Sequence, residues 1–253
     1  MSAIYPSLEG RSVFITGGGS GIGASIVSHF AHQGAKVAFV DIATESSEAL
    51  VTEIEAEGHP APLFIACDLR EIEALRAAVS KAAATNGPIT VLVNNAAHDE
   101  RHALESVTPD YWDERMAINL RHQFFAAQAI APMMKAEGGG SIINFGSTSW
   151  MIGQGGMPGY TAAKSAVMGL TRSLARDLGP DNIRVNSIAP GWIMTERQIK
   201  LWLTPEGEKE LMQRQCLKRK LKPADVARLT LFLASDDSNA MTNQTYICDG
   251  GWV

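Results

Sequence analysis

Short runs of β-branched and apolar residues recur along the chain at 12–16, 36–41, 63–67, 89–93, 141–145, 183–189 and 245–248. They are nearly continuous in apolar character rather than alternating, which is the pattern of strands covered on both faces. Between them the apolar positions follow a helical period, as in Ile22, Ile26 and Phe30 ahead of Gly34, or Ala163, Val167, Leu170, Leu174 and Leu178 ahead of Gly179. Strand and helix alternate throughout. That alternation predicts an α/β fold, a doubly wound Rossmann arrangement in which seven parallel strands form one sheet with helices on both faces. Ligands of such a sheet bind beyond the carboxyl ends of the strands.

Two stretches depart from the rhythm. Residues 138–163 carry no charge and are rich in glycine, yet contain a strand and then a helix start, which predicts a crossover loop. Residues 192–222 follow the sixth strand and are expected to overhang the ligand crevice as a substrate lid. With no linker or shift of composition, 1–253 is expected to be one domain.

Composition narrows the function classes. The chain has 253 residues, 45% hydrophobic and 19% charged, which excludes disordered and fibrous proteins. Lys plus Arg is 22 against 27 Asp plus Glu, a net charge of −5 with no block of like charge, so neither a nucleic-acid footprint nor a polybasic membrane anchor is expected. Cys67, Cys216 and Cys248 are far apart, with no CxxC, and suggest neither a disulfide framework nor a zinc knuckle. Residues 1–6 lack a basic start and an apolar core, and no later apolar run approaches the roughly 20 residues of a membrane span. A soluble cytoplasmic protein is expected.

After the first strand, Thr16-Gly17-Gly18-Gly19-Ser20-Gly21-Ile22-Gly23 opens into a helix. Glycines there let the backbone turn sharply and approach a pyrophosphate, while the helix N-terminus faces the phosphate charge. Asp41 ends the second strand, where a carboxylate can take both ribose hydroxyls and repels a 2′-phosphate. Ser20 stands before Gly21 with no basic residue, so NAD is favoured over NADP. A helix N-cap is the other role open to Asp41, and equally to Asp68. Asp68-Leu69 and Asn94-Asn95-Ala96-Ala97 follow the third and fourth strands, where an adenosine would lie.

Tyr160 and Lys164 are four apart at a helix start and share one face. Bringing a phenol from about 10 to near 7 takes roughly 4 kcal/mol of preferential stabilisation of phenolate, which an ammonium and an oxidised nicotinamide can supply. Tyr160 is then the general base toward an alcohol, Ser147 a hydrogen-bond partner of the substrate oxygen, and Lys164 a second ligand of the cofactor ribose. Asn119 could hold a water in a proton relay. Each of these residues alone also has an ordinary structural role open to it.

Together, TGxxxGxG, NNA, Asn119, Ser147, YxxxK, Pro190-Gly191 and Thr195 resemble the short-chain dehydrogenase/reductase family over the whole chain. The resemblance implies NAD(P)-dependent interconversion of an alcohol and a carbonyl, with the tetrad Asn119, Ser147, Tyr160 and Lys164. It implies that Gly17, Ile22, Asp41, Asp68, Asn94 and Thr195 touch the dinucleotide, with Ile193 and Thr195 at the carboxamide. Ser20, Gly21, Gly23, Leu69, Ala96, Pro190 and Gly191 complete the expected cofactor set. Ala97 stands where the family usually has glycine, a tolerable extra methyl.

A closer similarity, to the bacterial aldose 1-dehydrogenases of this family, rests on Tyr111-Trp112-Asp113-Glu114-Arg115, Asn119-Leu120-Arg121-His122, Ser149-Trp150, Thr204-Pro205-Glu206-Gly207-Glu208 and Gln215-Cys216-Leu217-Lys218. It implies oxidation of the C1 hydroxyl of a cyclic aldose, a pentose such as D-xylose or L-arabinose or a related hexose, to the lactone. Trp150, Trp192 and Trp202 fall in segments that should border the site and could pack on pyranose C–H faces, or could pack the lid or a subunit contact instead. Asn144, Ser149, Gln154, His98, Asp99, Arg197 and Gln198 are candidates for sugar hydroxyls. The family implies a homotetramer.

Three other readings stand beside this one. His98-Asp99-Glu100-Arg101-His102 suggests a metal, but HExxH is absent and no third ligand is placed, so no metal is expected. A ketone or 3-oxoacyl reductase on the same fold is opposed by Asp41 and the tryptophan-rich lid. A non-catalytic dinucleotide sensor is opposed by the intact Ser147, Tyr160 and Lys164.

Overall fold

The computed structural model describes residues 3–253, so Met1 and Ser2, where the leader-peptide reading starts, lie outside the described residues. Seven strands pair in parallel in the order β3-β2-β1-β4-β5-β6-β7. They are β1 (Ser12–Thr16), β2 (Lys36–Asp41), β3 (Leu63–Ala66), β4 (Val91–Asn94), β5 (Gly140–Phe145), β6 (Ile183–Pro190) and β7 (Thr245–Cys248). The order reverses between β1 and β4, and a crevice opens at such a switch point.

The continuous apolar runs have a direct cause, because alternate residues of each strand enter different cores. Val13, Ile15, Val91, Val93 and Ile143 join Ile26, Phe30 and Leu231 on one face. Phe14, Leu92 and Ile142 join Leu75, Val79 and Ile130 on the other. The first face is covered by α1 (Gly21–Ala31), α2 (Thr44–Ala56) and α9 (Pro223–Ala234), the second by α3 (Ile72–Asn86), α5 (His122–Ala136) and part of α6 (Pro158–Leu178). Among the described residues no helix is long and apolar enough to cross a membrane.

The strand ends differ from the expected ones by a residue or two, with β3 stopping at Ala66 and β4 running from Val91 on to Asn94. The helical stretch between β4 and β5 is not continuous α-helix. It is α4 (Pro109–Met116), a π-helical turn over Ala117–Arg121, and α5. The Asn119 side chain donates to the Arg115 carbonyl at 3.0 Å, competing with the backbone for that acceptor, the kind of interference that widens a helix locally.

Residues 192–222 leave the sheet after β6, and the two ends of this segment are joined by a parallel bridge between Ile193 and Leu221. Between these points lie α7 (Glu196–Leu201) and α8 (Pro205–Arg214), begun by Thr195 and Thr204, whose hydroxyls accept from Gln198 N and Gly207 N.

Candidate active site

A cavity of about 1990 Å³ runs along the carboxyl ends of the strands, roughly twice the ~1,000 Å³ upper range for a single small ligand. Its first half is backbone. Gly17 has φ +67°, and a Cβ there would meet Ala96 Cα at 2.7 Å; a Cβ on Gly23 would overlap the Gly17 carbonyl oxygen. The turn thus closes only with glycine and leaves a cradle over the N-terminus of α1, whose first amides have no intrahelical partner. Ser20 sits at the N-cap position and makes no side-chain cap.

Asp41 forms the rim of the cradle: Oδ2 accepts from Gly19 N at 2.8 Å and Oδ1 from Ala43 N at 2.9 Å. Each oxygen retains acceptor capacity for a diol. It does not occupy the N-cap of α2, which falls to Ala43. The neighbouring wall is Ser20, Ile42, Ser46 and Ala49, none of them basic. Asp68 and Leu69 also line the cavity, but Asp68 is clasped by Arg70 through Nε at 2.9 Å and Nη2 at 2.6 Å, which holds its carboxyl below the usual range. The N-cap of α3 is Glu71, not Asp68. Opposite stand Pro190, Gly191, Ile193 and Thr195; the Thr195 methyl lies 3.1 Å from where a Cβ on Gly21 would be, so this wall meets the glycine turn. A glycine cradle, free amides and a carboxylate at the rim fit a dinucleotide.

Beneath the cradle is a layer that the sequence did not reveal. Asn95 donates to the carbonyls of Thr16 and Gly17 at 3.1 and 2.8 Å, tying the fourth strand end to the glycine turn. His122 donates from Nε2 to the Ala96 carbonyl at 3.1 Å. Burial, with Lys164 nearby, pushes His122 down to about 3, so it serves as a neutral bracket. Gln123 reaches the Asn119 and Phe145 carbonyls at 3.3 and 3.4 Å. A buried polar residue inside a helix carries no sequence signal that separates it from an exposed one.

The second half of the cavity holds Ser147, Tyr160 and Lys164, brought together by the end of β5 and the start of α6. Lys164 is fully covered, donates from Nζ to the Phe145 carbonyl at 2.8 Å, and lies 5.8 Å from the Tyr160 ring centroid. The protein alone sets the two groups differently from the expectation that Lys164 draws the phenol toward neutrality. Burial pushes Tyr160 up to about 12, opposed by a hydrogen bond from Ser147, with Asp99 pushing up and Arg101 down. Burial likewise pushes Lys164 down to about 7. Desolvation penalises each charge separately.

Four residues expected to face ligand do not. Register aligns Asn94 with Asn144 across β4 and β5. Both are fully buried and away from the cavity, with Asn94 Nδ2 donating to Asn144 Oδ1 at 2.9 Å and Asn144 Nδ2 to Thr171 Oγ1 at 3.1 Å. The side chains of Asn94 and Asn144 are thus spent on each other and on Thr171, and it is Asn95 that lines the cavity. The Asn119 side chain is consumed as well: Oδ1 accepts from His98 N at 2.8 Å, and Nδ2 serves the His98 and Arg115 carbonyls. Through these bonds the side chain clamps the His98 loop. Trp150 lies outside the lining, because a tight turn, with Met151 N and Ile152 N both on the Thr148 carbonyl, presents Ser149 and Ile152 instead.

The other two tryptophans line the cavity and have partners within the protein. Trp202 has the Arg101 guanidinium 4.9 Å over its ring. Trp192 packs on Gly207 and donates Nε1 to Gln198 Oε1 at 2.9 Å. Gln198 in turn donates to Asp99 Oδ2 at 2.7 Å, and Arg197 reaches Asp99 Oδ1 at 3.4 Å, so α7 is joined to the loop after β4. His98, Ser149 and Gln154 line the cavity. Arg115, buried despite its place on a charged helix, donates from Nη1 to His98 Nδ1 at 2.8 Å and pairs with Glu100 at 3.0 Å. An arginine cannot accept, so His98 keeps its proton on Nε2 as a donor. Trp252 reaches the lining from the chain end, which Asp249 fixes by accepting from the Gly251, Trp252 and Val253 amides.

A family model described as enoyl-(acyl carrier protein) reductase matches residues 17–253. The probable galactose dehydrogenase GalD of Rhizobium meliloti (strain 1021) is 56% identical over 250 residues, covering 99% of this chain and 98% of that protein. The D-xylose 1-dehydrogenase of Caulobacter vibrioides (strain NA1000 / CB15N) is 52% identical over 251 residues, 99% of each. A short-chain type dehydrogenase/reductase from Mycobacterium ulcerans superposes with a TM-score of 0.92 at 28% identity, covering 97% of this chain and 90% of that one.

Proposed function

The chain belongs to the short-chain dehydrogenase/reductase family of oxidoreductases, and from that premise we propose that it oxidises the C1 hydroxyl of a cyclic aldose to the lactone with NAD. The observation that carries this reading is one continuous cavity leading from the glycine cradle, past Ser147 and Tyr160, to hydroxyl-bonding side chains at His98, Ser149 and Gln154. Full-length similarity to galactose and xylose dehydrogenases supports the choice of substrate class, D-xylose, L-arabinose or a related hexose among them.

Ser147 hydrogen-bonds the C1 oxygen, and Tyr160 as phenolate takes the C1 hydroxyl proton. Nicotinamide, when bound, supplies the hydride acceptor and a positive charge. Lys164 as ammonium, held by the Phe145 carbonyl, offsets the phenolate across the shared helix face and ligates the cofactor ribose. A phenolate and an ammonium formed together leave the buried site neutral, which is how two groups that burial holds uncharged can ionise as a pair. Asp41 takes the adenosine ribose hydroxyls. Gly17, Ser20, Gly21, Ile22 and Gly23 receive the pyrophosphate, Asp68, Leu69 and Ala96 flank the adenosine, and Pro190, Gly191, Ile193 and Thr195 the nicotinamide. Residues 192–222 act as the lid, with Asp99 gripping α7, and Trp192 and Trp202 shape it from within. Exposed Phe124 and Trp112 on α5 and α4 suit a homotetramer contact. The reverse chemistry on a ketone or 3-oxoacyl group is favoured by 38% identity to the 3-oxoacyl-[acyl-carrier-protein] reductase FabG of Thermotoga maritima and opposed by the polar substrate wall.

The test is reduced-nicotinamide formation with D-xylose, L-arabinose, D-galactose, D-glucose, L-fucose and L-rhamnose, each with NAD and then NADP. Turnover of one or two sugars with NAD is expected. In the same assay Asp41→Ser should lower kcat/KM for NAD by about 10- to 100-fold, the loss of a charged hydrogen-bond acceptor; an unchanged ratio of NAD to NADP use would remove Asp41 from ribose recognition.

A further inference from the structure

We propose that His32, Glu57 and His59 form a binding site for a late first-row divalent cation of the Zn²⁺ type, at the end of the domain away from the crevice. A ligand atom from each of the three lies within 4.8 Å of the others. His32 Nε2 stands 3.2 Å from Glu57 Oε2, close to the roughly 3.3 Å edge of a tetrahedron built on Zn–N and Zn–O bonds of about 2.0–2.1 Å. The His59 and His32 ring centroids are 4.0 Å apart. With side chains 41% and 47% exposed at His32 and Glu57, a modest rotamer adjustment can close the set and leave water in the fourth position.

The first ligand is already oriented. His32 donates from Nδ1 to the Ser28 carbonyl at 2.6 Å, which turns Nε2 toward Glu57 and, in the neutral ring, leaves the Nε2 lone pair free for a metal, the outer-shell arrangement typical of metal-ligating histidines. The surrounding field favours a cation. His32 is the C-cap of α1 and Glu57 the C-cap of α2, so the negative ends of two helix dipoles converge there with a carboxylate. Among the described residues the His59 ring makes no hydrogen bond that would compete. Two imidazoles and one carboxylate select Zn²⁺, Ni²⁺, Cu²⁺ or Co²⁺ over Mg²⁺ and Ca²⁺, which prefer all-oxygen sets.

Both helices begin at the cofactor end, α1 at the glycine turn and α2 just beyond Asp41, so an 11-residue α1 separates the cation from the cradle by roughly 16 Å. The ion therefore clips together the far ends of the two helices that flank the adenosine half and touches no reacting atom.

The test is calorimetric titration of tag-free, chelator-stripped protein with Zn²⁺, alongside thermal unfolding. One ion per chain is expected with micromolar affinity, with Tm rising by about 3–6 °C at ten times Kd and no rise with Mg²⁺. His32→Ala, Glu57→Gln and His59→Ala alter surface side chains and should each weaken Zn²⁺ at least tenfold while leaving metal-free Tm and NAD affinity unchanged. No Zn²⁺ binding below millimolar, or binding unaltered by all three substitutions, would overturn the site.

Discussion

Tyr160→Phe is expected to lower kcat by about 10³-fold or more while leaving NAD affinity within a factor of two or three of the parent. In the proposed mechanism the phenolate oxygen is the proton acceptor, and loss of a positioned general base typically costs 10²- to 10⁴-fold. The ring itself remains to fill its place over Lys164. The pH profile is a second readout. Burial holds the phenol up to about 12, so the base form gains population as pH rises through the neutral and alkaline range, and log kcat/KM should climb with pH in the parent. The residual rate of the Phe variant should be flat over the same range. Steady-state kinetics with fluorescence titration of NAD separates the two effects, and near-parental turnover in the variant would require another base.

Gly23→Val is expected to abolish measurable NAD binding, a fall in affinity of at least 10²-fold, through geometry alone. A side chain there overlaps the Gly17 carbonyl oxygen and crowds Asn95 Nδ2 at 2.6 Å. Neither neighbour can yield easily: Gly17 is fixed between Ala96 and Val40, and Asn95 already holds the Thr16 and Gly17 carbonyls. The turn must open, and with it the cradle of amides that faces the pyrophosphate. A circular dichroism spectrum like the parent's, with no NAD signal in calorimetry, is the expected pair of results. Retained NAD affinity would show that the amides of the turn carry little of the binding.

These two positions are legible in the sequence because their chemistry is local. Gly23 is set by a strand, a turn and a helix in immediate succession, and Tyr160 and Lys164 by four-residue spacing on one helix. The strands were legible because burial on both faces makes each an apolar run. What escaped is set by contacts between distant segments. Asn94 and Asn95 are identical in type, and only the pairing of Asn94 with Asn144 decides which one turns inward. Trp202 lines the cavity with the Arg101 guanidinium, far away in sequence, stacked over its ring, a pairing that only the fold creates. Arg115 belongs to a charged stretch that appears solvated, yet folding seals it beneath His98 and Glu100. The π turn at Asn119 arises from a side chain competing with its own backbone, a contest that helical periodicity does not register.

In the proposed reaction hydride leaves C1 of an aldose while Tyr160 takes the hydroxyl proton. Oxidation of the best sugar carrying deuterium at C1, followed by mass spectrometry of both products, tests it most directly. Reduced nicotinamide heavier by one mass unit and a deuterium-free lactone are expected. Deuterium retained in the sugar product, or lost to water with unlabelled reduced cofactor, would contradict it.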